Sequence, residues 1–183
     1  MLVKNTTYLS LVIILVLIAM GCKKAPNYAK EPVIEFDNLR VKPVIYVDGP
    51  NTEKVDSVFI TIKFQDGDGD LGNDPATSSF DFFADVYKKI NGVYTRVDYF
   101  DTLAVTYNGN LPLLSPYNVT GPIDGTITNI PPAFLAPLPG NPYPDGFPYN
   151  KKDTLRFHVR IRDRAGNYSN WVESPDYIVW KNF

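Results

Sequence analysis

The densest set of chemically capable side chains lies in Asp66-Gly67-Asp68-Gly69-Asp70-Leu71-Gly72-Asn73-Asp74. Carboxylates at alternate positions, separated by glycines that let the chain curl, aim converging oxygens at one hard cation, and Ca²⁺ takes about six to eight oxygen ligands. Four aspartates within nine residues repel one another unless a cation sits among them. The candidate metal ligands are therefore Asp66, Asp68, Asp70 and Asp74, with calcium as the cofactor. The plain alternative is a solvated Asp-Gly turn, since both residue types tolerate turn geometry.

The loop follows Val58-Phe59-Ile60-Thr61-Ile62-Lys63-Phe64, where Val58, Ile60, Ile62 and Phe64 share one face in the period-two pattern of a half-buried antiparallel strand. Its first positions are spaced like an EF-hand loop. It then departs: the sixth position is Leu71 where the sharp turn needs Gly, the twelfth is Thr77 where a bidentate Glu is needed, and no helical pattern flanks it. A calcium site in an Asp-rich β-loop is the reading that remains.

A second strand, Leu155 to Arg162, points Leu155, Phe157, Val159 and Ile161 inward and Arg156, His158, Arg160 and Arg162 outward. A hairpin turns at Asn91-Gly92, a dipeptide that accepts the positive φ angles of a type I′ turn. Counting outward pairs Ile90 with Val93, Tyr87 with Arg96, Asp85 with Asp98 and Phe83 with Phe100. Val86, Val97, Ala84 and Tyr99 then line the core. Weaker strands are expected at Pro32–Leu39, Val44–Val47, Leu103–Tyr107, Gly125–Ile130 and Asp176–Trp180. About seven short strands without helices predict an all-β, antiparallel two-sheet sandwich.

On the outer face, Phe83, Tyr87, Tyr94 and Phe100 form an aromatic cluster. It is either a platform for sugar rings or covered by another part of the chain. The outward arginines either hold an anionic sugar or lipid head group, or pair across strands with Asp81 and Asp85. The pairing is the reading preferred here.

No catalytic set emerges. One Cys and one His exclude a disulfide framework, a Cys/His zinc site and a Cys-His pair. No Gly-x-Ser-x-Gly elbow or phosphate-binding glycine loop is present. The chain is expected not to be an enzyme. With 18 Lys+Arg against 20 Asp+Glu, it has no basic excess to neutralise phosphates, and nucleic acid is not an expected partner. At 44% hydrophobic residues it can build a core.

The amino terminus carries Lys4 and then twelve uncharged residues, Leu9 to Met20, too short for an ordinary membrane span of about 20 residues. They run into Ala19-Met20-Gly21-Cys22, which resembles the lipobox of bacterial lipoproteins, although Ala19 stands where that family usually has a large aliphatic residue. The resemblance implies a signal peptide over 1–21 and acylation (palmitate-type chains) of Cys22, anchoring the chain to the membrane. Residues 22–30 then form a polar tether. Lys23 follows the cysteine where an Asp would retain the protein at the inner membrane. The expected location is thus the outer membrane, lipid-anchored on its periplasmic face.

Residues 31–183 are expected to form one domain. Its ending, Phe157 to Ser169 with Asp163-Arg164-Ala165-Gly166-Asn167, resembles the closing hairpin of bacterial immunoglobulin-like and fibronectin type III-like domains. In that fold the loop after the second strand and the loop between the last two strands emerge at the same end. Asp163 and Asn167 would then approach the Asp66–Asp74 loop, Asp163 completing the ligand shell or capping its own turn. Residues 101–150 hold ten of the sixteen prolines and form a Pro-rich excursion barred from any central strand. Its apolar side chains, Leu111, Leu113, Leu114, Phe134, Leu135, Leu138 and Phe147, are expected to pack on the sandwich. The functional expectation is a calcium-stabilised envelope lipoprotein serving as a structural or interaction module for another envelope protein. The alternative is a glycan-binding accessory lipoprotein using Phe83, Tyr87, Tyr94 and Phe100.

Overall fold

The computed structural model describes residues 25–48, 51–73, 79–96, 107–117, 119–128, 133–135 and 152–179, so that Cys22, Asp74, Asp98 and Phe100 lie outside it. Among the described residues are nine strands and no helix. In the first sheet, β1 (Val33–Asp48) pairs with β2 (Asn51–Asp66), and β5 (Ile123–Thr128) and β6 (Ala133–Leu135) add to the other edge of β2. In the second, β4 (Val93–Arg96), β3 (Phe82–Ile90), β7 (Thr154–Ile161) and β8 (Val172–Glu173) lie in that order, and β9 (Tyr177–Ile178) also pairs with β7. Every pairing between these strands is antiparallel. The chain is an all-β sandwich of two antiparallel sheets, with the first, second and fifth strands in one and the fourth, third, seventh and eighth in the other.

The core sits between the sheets because both central strands alternate cleanly. Val58, Ile60, Ile62 and Phe64 of β2 are buried, and so are Leu155, Phe157, Val159 and Ile161 of β7. Ile34 and Ile127 join from the first sheet, Phe82, Ala84 and Val86 from the second. Each such aliphatic or aromatic side chain stabilises the fold by about 1.5–3 kcal/mol relative to exposure. Asn170 holds the sheets in register, its side chain accepting from the Ile34 N–H at 2.9 Å and donating to the Ile34 carbonyl at 2.9 Å. Tyr177 Oη donates to the buried Asp56 carboxylate across the same interface.

The Asn91-Gly92 turn has φ of 51° and 85°, and it sets Ile90 opposite Val93 and Tyr87 opposite Arg96 as its dipeptide dictates. The expected partners Val97, Asp98, Tyr99 and Phe100 fall outside the described residues.

Several expectations need correction. The strands expected at Pro32–Leu39 and Val44–Val47 merge into one 16-residue strand, β1, which begins at Val33 and runs through Pro43. A bulge between Phe36 and Asn38 resets its alternation, which hides the strand from a period-two reading. The strand expected at Gly125–Ile130 begins earlier, at Ile123. Of Leu103–Tyr107, only Tyr107 is described, and it is not in a strand. The Asp176–Trp180 strand is the short β9. Within the Pro-rich stretch, Leu111 enters the core at 3% exposure, whereas Leu113 and Leu114 remain exposed at 40% and 36%.

Candidate metal centre and outer aromatic face

β2 ends at Asp66, whose side chain is fully buried where the strand turns into the Asp-Gly loop. Its Oδ2 accepts the Asp70 N–H at 2.9 Å, curling the loop into a ring. Asp70 in turn uses Oδ2 to accept the Ala165 N–H at 2.9 Å. That leaves Oδ1 of Asp66, Asp68 and Asp70 buried and without a hydrogen-bond partner. Each of the three carboxylates offers an oxygen within 4.8 Å of the others. One cation bound at about 2.4 Å from each oxygen can therefore touch all three carboxylates at once. The all-oxygen, all-carboxylate donor set suits a hard cation and not zinc or copper.

Electrostatics agree with the geometry. Burial lifts the Asp66 carboxyl from 3.8 to about 6, with Asp68, Asp70 and Asp163 adding repulsion. Asp70 is also raised, first by burial and then by Asp163 and Asp68. Crowded carboxylates in a desolvated pocket form a site whose repulsion a divalent cation would relieve.

The two loops meet as the fold requires. Leu71 bridges to Asp163, Arg164 N–H donates to the Asp70 carbonyl at 3.1 Å, and the Arg164 guanidinium reaches the Leu71 and Gly72 carbonyls at 3.2 and 2.9 Å. Asp163 stands beside the cluster, but its carboxylate accepts the Asn167 N–H at 2.7 Å and the Asn167 side chain at 2.8 Å, capping its own turn. Asp74 lies outside the described residues. Two further segments close on the same loop. Gly67 N–H donates to the Ala29 carbonyl at 2.7 Å, and Gly121 N–H to the Asp68 carbonyl at 3.1 Å.

Compared with protein-family models, curated proteins and solved structures, the chain matches none of them.

The outer face of the second sheet differs from expectation in its partners. Asp81 is fully buried and spends its carboxylate on partners other than the arginines. It accepts the Leu111 N–H at 2.5 Å and the Asn73 side chain at 3.2 Å, fastening the 107–115 segment to the sandwich. Burial raises its carboxyl, and those hydrogen bonds oppose the rise. Asp85 faces His158 in register but pairs with Arg96 at 3.1 Å. Arg156 instead binds Glu173 at 3.0 Å and Asp176 at 2.8 Å. The stripe is thus neutralised at one end, by carboxylates from the segment after β7 that the β3–β7 register does not reveal.

Of the expected aromatic platform, Phe83, Tyr87 and Tyr94 are half-buried. Tyr87 stacks on His158 at 4.0 Å, and burial holds that imidazole below its ordinary value. Tyr94 lies under the Arg156 guanidinium at 4.1 Å, and its Oη donates to Asp176 at 2.5 Å. Tyr168 and Trp171, which pack on Arg160, are open, 42% and 43% exposed. Alternation within strands does not place them, because they lie in the irregular segment between β7 and β8.

Proposed function

We propose that this chain is a lipid-anchored, calcium-stabilised interaction module of the bacterial envelope, without catalytic activity. The observation that carries the calcium part is the set of three buried, unpartnered carboxylate oxygens on Asp66, Asp68 and Asp70. Leaving such groups unsatisfied is unfavourable by about 1–3 kcal/mol each, more for charges, and a cation coordinated by all three removes that penalty. The metal has a structural role, since the loop it occupies contacts the chain before β1, the segment before β5 and the β7–β8 hairpin. Asp66, with its raised carboxyl, is fully buried and cannot reach a substrate in solution. Anchorage rests on the Ala19-Met20-Gly21-Cys22 signal, and the outer membrane is the proposed location.

A second reading, glycan binding on the outer face, is favoured by the exposed rings of Tyr168 and Trp171. Two measurements test the main reading. Membrane fractionation should find the wild type in the outer-membrane fraction and Cys22→Ser in the soluble fraction. Melting with chelator and with calcium should show stabilisation by the ion. A Cys22→Ser protein that stays membrane-bound like the wild type contradicts the anchor.

A further inference from the structure

We propose that Arg160 is the anchor of a binding site for a carboxylate-bearing polysaccharide on the outer face of the second sheet, a proposal that rests on the interaction-module reading and names its ligand class. The Arg160 guanidinium lies 4.1 Å from the Tyr168 ring centroid, 4.5 Å from that of Trp171 and 5.4 Å from that of Phe83. These rings hold it in one orientation. Its Nε is buried and has no acceptor, and no carboxylate among the described residues pairs with it. Arg156, four residues away on the same face, is by contrast tied to both Glu173 and Asp176. Arg162 adds a second positive charge. It donates to the Phe80 carbonyl at 2.9 Å and its field reaches Asp81, which is buried and already committed to Leu111 and Asn73.

A guanidinium packed among three rings offers a planar fork of donors, which matches a planar carboxylate bidentately. Tyr168 and Trp171 flank that fork with exposed apolar faces, on which the sugars next to the bound carboxylate can stack. A lipid phosphate would use the charge but not the rings. An acidic glycan uses both.

The test measures binding of the full chain, in detergent, to polygalacturonate and to its fully methyl-esterified form at one physiological salt concentration. The wild type is expected to bind the acid and not the ester. Arg160→Gln and Arg160→Lys should each weaken binding about tenfold, Lys because it keeps the charge and loses the planar fork. Arg156→Gln, already neutralised in the fold, should bind within about twofold of wild type. Should Arg160→Gln fail to fold, Trp171→Ala, a change at an exposed side chain, should show the same weakening. No binding by the wild type, equal binding of the ester, full binding by Arg160→Lys, or an equal loss in Arg156→Gln overturns the proposal. Arg160-dependent binding to phosphatidylglycerol vesicles without binding to polygalacturonate overturns it too. Failure here alongside normal anchorage and calcium stabilisation removes only the ligand and leaves the module reading standing.

Discussion

The main-chain N–H of Ala165 donates to Asp70 Oδ2 at 2.9 Å across 95 positions of sequence. One oxygen of the Asp70 carboxylate thus stitches the β7–β8 hairpin to the loop after β2, while the other stays free beside those of Asp66 and Asp68. Division of labour within each carboxylate explains how an acidic cluster is both a structural joint and a cation site. The joint preorganises the free oxygens, and a bound ion would lock the joint in return.

The pH dependence of stability has a definite sign. The Asp66 carboxyl stands at about 6 in the fold against 3.8 ordinarily, so the folded state holds this proton more tightly than the unfolded chain does. That contribution is complete below 3.8 and is lost as pH rises through about 6. In chelator, the melting temperature of wild type relative to Asp66→Asn should therefore fall across this window. Saturating calcium, which favours the anion, should remove the fall. A wild type that gains stability relative to Asp66→Asn across the window in chelator contradicts the account.

Asp68→Asn keeps the shape of the side chain and removes one ligand charge. With calcium at about a hundredfold over its dissociation constant, the wild type gains about 2.7 kcal/mol. For a domain of this size that amounts to roughly 5–10 °C in melting temperature. The variant should lose most of this shift while melting close to wild type in chelator. Equal calcium shifts in the two proteins, read by circular dichroism, exclude Asp68 as a ligand.

Gly67→Ala tests the contact between the loop and the chain before β1. A Cβ at Gly67 would stand 2.5 Å from the carbonyl oxygens of both Tyr28 and Ala29, and backbone cannot yield as a flexible side chain does. The substitution should destabilise the protein by about 1–3 kcal/mol. It should also break the Gly67 N–H to Ala29 carbonyl bond, seen as faster amide exchange at Gly67. Unchanged exchange there would show that the contact is not a persistent one.

Phe157→Ala removes a fully buried ring at the centre of β7, which packs edge-on against Tyr107. A loss of about 3–5 kcal/mol in denaturant unfolding is expected. A loss under about 1 kcal/mol would mean that the two sheets do not close on this residue.

How far the sequence discloses this molecule depends on whether the determining interaction is local. β2 and β7 are legible because each buries one face, and the Asn91-Gly92 turn because its φ angles restrict residue choice. The length of β1 is not legible, since the bulge at Asp37 and the proline at 43 interrupt its alternation. The last strand is broken for a reason only the fold shows: Ser169 and Ser174 hydroxyls accept the Ile161 and Phe157 N–H groups at 3.0 Å each, where strand carbonyls would otherwise serve. The convergence of Asp66, Asp68 and Asp70 is written in their alternate spacing. The setting of Arg160 is not, because Tyr168 and Trp171 reach it from an irregular segment, and Asp81 turns inward just before β3 begins.

The most direct test of the calcium site is calorimetric titration of the chelator-stripped full chain with Ca²⁺ at neutral pH and again at a pH below the raised Asp66 value. The account predicts one saturable ion per chain, with affinity weakening at the lower pH as a proton competes for the Asp66 carboxylate. Absence of saturable heat at neutral pH, with Asp68→Asn indistinguishable from wild type, would reduce the loop to a turn and contradict the metal-stabilised module.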